Sequence, residues 1–98
     1  MIIKTIEFEI KPPKLRGIIV AIEHFTRAVH VSEPGSRLYV SIQDKQNKNK
    51  FFHIMAFENE GAEMKHMAAG YTQEFNKLLN KSCVKNPIYK EFSYIGGL

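Results

Sequence analysis

The chain has 98 residues, which at about 100–200 residues per domain is enough for one domain and too few for separate catalytic and regulatory domains. Hydrophobic residues make up 44% and charged residues 24% of the chain, a balance that excludes a disordered or fibrous protein. The net charge of +4 is too small to indicate nucleic-acid binding by itself. Cys83 is the single cysteine. The sequence contains no signal peptide and no apolar run long enough for a membrane span, so we expect a cytoplasmic protein.

The first half of the chain predicts a strand, a long helix and a second strand. Residues 2–10 alternate between apolar and polar side chains, and Pro12-Pro13 ends this strand. From Lys14 onward the apolar residues follow one another at steps of three and four positions, which predicts a helix of about four to five turns. Residues 33–35 end the helix, and alternation over residues 38–42 predicts the second strand. The apolar stripe of the helix consists of Leu15, Ile18, Ile19, Ile22, Phe25 and Val29.

One charged residue interrupts the apolar face of the first strand. Lys4 shares that face with Ile2, Ile6 and Phe8. Its long side chain could extend to the sheet edge and place the charge in water, or it could project into a pocket as a functional cation. Both interpretations remain open from the sequence.

The third strand, over residues 51–57, is apolar on both faces. A polar hairpin loop at residues 44–50 precedes it. A strand that is apolar on both sides must be covered on both sides, and a single layer of helices covers only one. A partner subunit is the simplest cover for the second face. A chain this short also buries a modest fraction of its own surface, so both observations predict a homodimer.

The rest of the chain predicts two helices and a last strand. Asn59 is a good N-cap for the first helix, whose inner side is expected to carry Met64, Met67 and Ala68. Gly70 separates it from a second helix, and residues 88–95 form the last strand. The order β-α-β-β-α-α-β predicts one ferredoxin-like α+β domain over residues 1–98. It has a four-stranded antiparallel sheet with the helices on one face.

The sequence contains no motif for a metal or a phosphate-bearing cofactor. It has no glycine-rich phosphate loop, no paired cysteines and no helical pair of zinc-binding histidines. Of the four histidines, His53 and His66 fall on elements that should face the interior. A packed core or interface role is the simpler interpretation of His53, whereas a packing role and a pocket role remain equally open for His66.

The same element order occurs in the RNA-recognition motif, which makes RNA binding an alternative. Residues 50–57 retain the lysine and the last aromatic residue of that motif's third strand. They lack its glycine, and Ile54 stands where a stacking ring belongs. We therefore do not expect a nucleic-acid partner.

Three short segments and two single residues occur in a recognisable order. Pro12-Pro13-Lys14 follows the first strand, Glu33-Pro34-Gly35 precedes the second, Tyr39 lies within it, and Phe57-Glu58-Asn59-Glu60 precedes the helix that carries His66. In order and spacing they resemble the antibiotic biosynthesis monooxygenase family over nearly the whole chain. The resemblance implies a ferredoxin-like protomer that pairs into a dimeric α+β barrel. Its characterised members include oxygenases that oxidise quinols or polycyclic aromatics without metal or flavin, haem-degrading enzymes, and isomerases of small sugar-like signals.

The resemblance carries over to only some residues. His66 stands where the family usually has a histidine on the second helix, and Phe57 replaces the usual tryptophan at the end of the third strand. Tyr71 stands where many members have a second histidine. The haem-degrading branch uses an asparagine, a tryptophan and a histidine at positions that align here with Ile6, His66 and Asn76. None of the three is retained, so haem degradation is not expected.

The resemblance implies a cofactor-free monooxygenase that acts on a small aromatic or quinol-type substrate. His66 is the expected base, and Tyr39, Tyr71 and Arg37 are the expected orienting donors. No metal or organic cofactor and no membrane partner are expected. A non-catalytic dimer that binds a small apolar ligand is the main alternative. The expected pocket walls are Phe8, Phe25, Phe57 and Met67, with His53 as a further substrate contact.

Overall fold

The computed structural model describes residues 1–97 and contains the predicted elements in the predicted order. The ferredoxin-like α+β arrangement is thereby confirmed. The last strand ends at residue 92, where Phe92 pairs with Ile3 near the start of β1, and not at residue 95 as predicted. The elements are β1 (Ile2–Glu9), a 3-10 turn (Pro12–Lys14), α1 (Leu15–Ser32), β2 (Ser36–Gln43), β3 (Lys50–Phe57), α2 (Glu60–Ala68), α3 (Gly70–Ser82) and β4 (Ile88–Phe92).

The four strands form one antiparallel sheet in the order β2-β3-β1-β4. The register pairs Tyr39 with Met55 across β2 and β3. It pairs Ile6 with Tyr89 across β1 and β4. Because side chains alternate along each strand, these residues point to the same side of the sheet. That side, which carries the helices, is called the inner face below.

The hydrophobic core lies between the inner face and helices α1 and α3. The rings of Phe25 on α1 and Phe75 on α3 stack at 4.5 Å, which joins the two helices. Burying each such side chain contributes roughly 1.5–3 kcal/mol to folding, so this layer supplies much of the stability. The main buried apolar residues are Ile6, Phe8, Ile10, Ile18, Ile22, Phe25, Val29, Phe51, Met55, Phe57, Phe75 and Leu79.

The opposite side of the sheet, the outer face, carries no helix among the described residues and remains largely apolar. On β3, Phe52 and Ile54 point to this side and are only partly covered. Adjacent strands add apolar side chains that are exposed to solvent. The prediction that β3 is apolar on both faces is therefore confirmed. The exposed apolar residues of the outer face are Leu38, Val40, Ile42, Ile88 and Phe92.

Helix α2 differs from the sequence prediction. Met64 is 70% exposed and Met67 is 51% exposed, so the side of the helix that carries them is not packed into the core. His66 is the only buried residue of this helix. The helix stands at the end of the sheet beside the core, where polar contacts hold it. Among the described residues, no helix is long and apolar enough to cross a membrane.

Gly35 allows α2 to approach the start of β2. A Cβ atom at position 35 would lie 2.7 Å from the Cβ atom of Ala62 on α2, well inside van der Waals contact. The Gly35 carbonyl also accepts a hydrogen bond from the Glu58 amide at 2.9 Å. The absence of a side chain at position 35 therefore sets how close α2 can come to the sheet.

Gly35→Ala is expected to lower the free energy of unfolding by about 1–3 kcal/mol, because the added methyl group must displace Ala62. Gly17→Ala is the matched control, since a Cβ atom at this exposed position of α1 meets nothing within 4 Å. It should raise the free energy of unfolding by about 0.5–1 kcal/mol through its better helix propensity. Urea unfolding of both variants checks the pair, and equal effects would contradict the packing described for Gly35.

Candidate active site

A cavity of about 850 Å³ lies between the inner face and helices α1, α2 and α3. This volume is within the range of about 300–1,000 Å³ that is typical of small-molecule sites. Its walls are mostly apolar and include Phe25, Met55 and Phe57. Tyr39 and His66 line the same cavity. The arrangement brings a phenol and an imidazole together beside these apolar walls.

His66 is held by the buried carboxylate of Glu33. The distance from His66 Nδ1 to Glu33 Oε1 is 2.8 Å, and the two residues are 2% and 6% exposed. A carboxylate accepts hydrogen bonds, so the Nδ1 atom carries the hydrogen of this contact. The neutral imidazole then has its lone pair on Nε2. Nε2 is the nitrogen available to a ligand in the cavity.

Two further donors hold the Glu33 carboxylate in place. Ser36 on β2 donates its hydroxyl to Glu33 Oε1 at 2.7 Å. Tyr71 on α3 donates its hydroxyl to Glu33 Oε2. The pKa of Tyr71 is raised to about 12, mainly by desolvation and to a smaller extent by the hydrogen bond to Glu33. This phenol therefore stays protonated at neutral pH. The carboxylate is therefore fixed by donors from β2, α2 and α3.

Tyr39 forms a second polar pair with His53. The Tyr39 hydroxyl lies 3.0 Å from His53 Nδ1. Burial lowers the pKa of His53 to about 4, so its ring is neutral at physiological pH, and burial also raises the pKa of Tyr39. His53 Nε2 has no partner among the described residues. A buried acceptor without a partner is tolerated better than a buried N–H without one, so the hydrogen of the His53 ring is favoured on Nδ1. His53 then donates to the Tyr39 oxygen, which leaves the Tyr39 hydroxyl free to donate into the cavity.

The structure places the remaining predicted site residues at three depths. Phe25, Phe57 and Met67 line the cavity. Phe8 lies deeper, where its ring stacks on Phe51 at 5.5 Å, and it is not among the lining residues. Arg37 lies on the surface in an ion pair with Glu58 at 2.9 Å, away from the cavity.

Two of the predicted polar residues contact Tyr39 or Glu33 and do not line the cavity. His53 is fully buried behind Tyr39 and is not a lining residue. Tyr71 directs its hydroxyl to Glu33. Of the predicted catalytic residues, the structure therefore brings His66 and Tyr39 to one cavity and places Tyr71 behind His66.

The sequence left open whether Lys4 extends to the sheet edge or projects into a pocket. In the structure Lys4 lines the cavity, which agrees with the second interpretation. It forms an ion pair with Glu63 on α2 and lies 3.8 Å from Glu91 on β4. The hydrogen bond to Glu63 is the main cause that raises the pKa of Lys4, although desolvation opposes it. The cation is thus balanced by carboxylates, and the ion pair joins β1 to α2 across the cavity.

Sequence reasoning missed several residues of the site, above all Glu33. A carboxylate at the C-terminal end of a helix is unfavourable because the helix dipole is negative there, and Glu33 is the C-cap of α1. This unfavourable placement of a negative charge was the signal in the sequence that could have identified Glu33 as a site residue. Asn76, Thr72 and Tyr89, which also line the cavity, carry no comparable signal in the sequence. Within residues 1–97, no group of three or more potential metal ligands lies together.

Comparisons with known proteins agree with this architecture. The family model described as antibiotic biosynthesis monooxygenase matches residues 1–78. No curated protein matches the chain in sequence.

Solved structures resemble the whole chain despite low sequence identity. A protein described as antibiotic biosynthesis monooxygenase superimposes with a TM-score of 0.90 at 16% identity, covering 98% of this chain and 100% of its own. A conserved protein from Methanosarcina mazei Go1 superimposes with a TM-score of 0.83 at 17% identity, covering 94% of this chain and 91% of its own. Rv0793 from Mycobacterium tuberculosis superimposes with a TM-score of 0.88 at 8% identity, covering 98% of this chain and 96% of its own. At these identities the similarity shows the fold alone.

The low pKa of His53 predicts a loss of stability in acid. The unfolded chain takes up a proton on this histidine near pH 6.5, whereas the folded protein does so only near pH 4. Its contribution to the free energy of unfolding should therefore fall by up to about 3 kcal/mol between pH 7 and pH 4. Urea unfolding at several pH values measures this decline.

His53→Gln removes this titration, so the free energy of unfolding should decline less over the same interval. His24→Gln, at an exposed position of α1, is the matched control and should keep the wild-type pH dependence. An identical pH dependence for wild type and His53→Gln would show that His53 is not the group responsible.

Proposed function

Because this chain belongs to the antibiotic biosynthesis monooxygenase family, we propose that it is a cofactor-independent monooxygenase of a small aromatic or quinol-type substrate. The substrate would occupy the cavity between the helices and the sheet. The observation that carries the proposal is that His66 and Tyr39 line one aromatic-walled cavity. A base and a hydrogen-bond donor in an apolar space are the groups that such a reaction requires.

The reaction begins with a proton transfer. Nε2 of His66 accepts the proton of a substrate hydroxyl, since a neutral imidazole is suited to proton transfer near neutral pH. The resulting phenolate or quinolate is electron-rich and gives one electron to molecular oxygen. The two radicals then combine at a ring carbon to form a peroxide. In this scheme the substrate supplies the reducing power, and the protein supplies the base and the environment.

The overall reaction balances without an added reductant. One oxygen atom enters the substrate, and the other leaves as water when the O–O bond breaks. Both electron pairs needed to reduce the oxygen molecule come from the substrate, so a quinol becomes a hydroxyquinone. The His66 imidazolium returns its proton to the departing oxygen, and the C–H bond of the oxygenated ring carbon breaks to supply the second proton of the water.

Tyr39 has the complementary role of hydrogen-bond donor. Its hydroxyl stays protonated because burial raises the pKa of the phenol. The neutral His53 beside it can supply the hydrogen of their mutual bond, which leaves the tyrosine hydrogen for the ligand. Such a donor stabilises negative charge that develops on a substrate or peroxide oxygen. Phe25 and Phe57 would contact the substrate ring from the cavity walls.

A non-catalytic role in binding a small apolar ligand is the second candidate. The observation that favours it is the pair of exposed methionines, Met64 and Met67, that line the cavity from α2. Flexible thioether side chains adapt to ligands of different shape. Binding without consumption of oxygen would support this candidate over the monooxygenase.

We also propose that the protein is a homodimer that pairs through the outer face. The support is the exposed apolar surface of β2 and β4, which continues across the partly covered Phe52 and Ile54. Apolar patches of this kind commonly mark interfaces. A second copy with the same surface would cover it by two-fold pairing. The expected compartment remains the cytoplasm, since the only cysteine, Cys83, is free and buried.

His66→Gln is expected to lower substrate-dependent oxygen uptake by about 10²–10⁴-fold, the usual contribution of a general base. The measurement uses an oxygen electrode and a panel of quinols and polyphenols. His30→Gln, at the exposed C-terminal turn of α1, is the matched control and should keep full activity. Full activity in His66→Gln would remove His66 from the mechanism, and an inactive wild type would favour the binding role.

Activity is expected to require no haem, flavin or transition metal. The purified protein should show no Soret or flavin absorption band and no stoichiometric metal by elemental analysis. Treatment with a chelator should leave oxygen uptake unchanged. A stoichiometric cofactor whose removal abolishes activity and whose return restores it would overturn the cofactor-free mechanism.

The dimer is expected to bury at least about 1,200 Å² in total and to persist at micromolar concentration. Val40→Glu places a charge on the outer face and should shift the protein toward monomer. Val31→Glu makes the same change at an exposed position of α1 and should leave the dimer intact. Sedimentation velocity measures all three proteins, and a monomeric wild type would refute the dimer.

A further inference from the structure

Glu33 is a buried carboxylate for which the proposed reaction steps assign no role. We propose that Glu33 is the positioning residue of the site. It holds His66 with its lone pair on Nε2 toward the cavity, and it balances the charge of the imidazolium that forms when His66 accepts the substrate proton. This inference rests on the proposed function for the identity of that proton, whereas the orientation of the ring can be tested without a substrate.

The first support is the charge balance around Glu33. Its only ion-pair partner among the described residues is His66. The carboxylate is 6% exposed and lies at the C-terminal end of α1, where the helix dipole does not stabilise a negative charge. A buried charge in such a position is costly unless a nearby group compensates it. In the resting site the hydrogen bonds from His66, Ser36 and Tyr71 provide part of that compensation, and the imidazolium formed during the reaction would add an opposite charge.

The second support is the rigidity of the carboxylate. Ser36 and Tyr71 donate to its two oxygens from different elements, so rotation of the carboxylate away from His66 would break at least one of these bonds. The bond to His66 joins two side chains that are almost fully buried, so water does not compete strongly for it. The geometry therefore selects one tautomer and one ring orientation.

The third support is the nature of the groups that surround the imidazole. The ring centroids of Phe57, Tyr39 and Phe25 lie 5.1, 5.5 and 5.7 Å from that of His66. All three are neutral rings. Glu33 is thus the charged group that contacts the imidazole directly, through the bond to Nδ1.

Two substitutions separate the orientation of the ring from the compensation of its charge. Glu33→Leu removes the acceptor, so the hydrogen of His66 should move from Nδ1 toward Nε2. Glu33→Gln keeps an oxygen that can accept from Nδ1 and removes only the charge, so the tautomer should remain. Glu58→Gln, at an exposed carboxylate that pairs with Arg37, is the matched control.

The tautomer is read from the nitrogen chemical shifts of His66 in protein labelled with ¹⁵N-histidine. The expected result is a hydrogen on Nδ1 in wild type, Glu33→Gln and Glu58→Gln, and a hydrogen mainly on Nε2 in Glu33→Leu. A hydrogen on Nε2 in the wild type, or an unchanged tautomer in Glu33→Leu, would overturn the inference. Thermal unfolding verifies that each variant is folded.

The kinetic arm tests charge compensation. Glu33→Gln should lower kcat by about 10²-fold or more and change KM by less than about threefold, because the imidazolium forms only after the substrate has bound. Unchanged kcat in Glu33→Gln would refute charge compensation. If no substrate is oxidised, the proposed function fails, whereas the tautomer measurement still decides whether Glu33 positions His66.

Discussion

The buried hydrogen bond between Glu33 and His66 is the contact on which the arrangement of the site depends. It joins the end of α1 to α2, a helix that buries no other residue. Without it, α2 would be attached mainly by its polar contacts at Lys4 and by the close approach at Gly35. Removing one partner would also leave the other polar group buried and unpaired, which is costly. One contact therefore both holds the helix and orients the proposed base.

The cavity combines two requirements that usually conflict. An electron-rich substrate needs an apolar space, whereas proton transfer needs polar groups, and buried polar groups must be hydrogen-bonded. The structure meets both conditions at the two proposed functional groups, because each has a partner behind it: Glu33 behind His66, and His53 behind Tyr39. The partners are buried, so the polar atoms of His66 and Tyr39 can face a ligand beside the aromatic walls.

Much of the fold could be predicted from the sequence because periodicity reports directly on which side of an element is buried. The apolar stripe of α1 and the two apolar faces of β3 each correspond to observed surfaces. The buried side of helix α2 could not be predicted in this way, because its attachment comes from His66 and not from an apolar stripe. Its methionines resemble a core pattern, yet they line a cavity and remain exposed.

The candidate site was less predictable, since it depends on contacts between distant residues. His66 and Tyr39 were identified through the family resemblance, but Glu33 is 33 residues away from His66 in sequence and also serves as a helix end. Phe8 and Arg37 have suitable chemistry, yet their strand positions direct one into the core and the other to the surface. Side-chain type alone does not distinguish these locations.

A crystal structure with a bound phenol would show whether the cavity presents His66 Nε2 to a substrate hydroxyl. A phenol with electron-withdrawing substituents resists oxidation and can be trapped in the site. The account predicts that its oxygen lies about 2.6–3.2 Å from Nε2, with its ring against Phe25 or Phe57. A phenol bound outside the cavity, or one whose oxygen points to Lys4 and away from His66, would contradict the account.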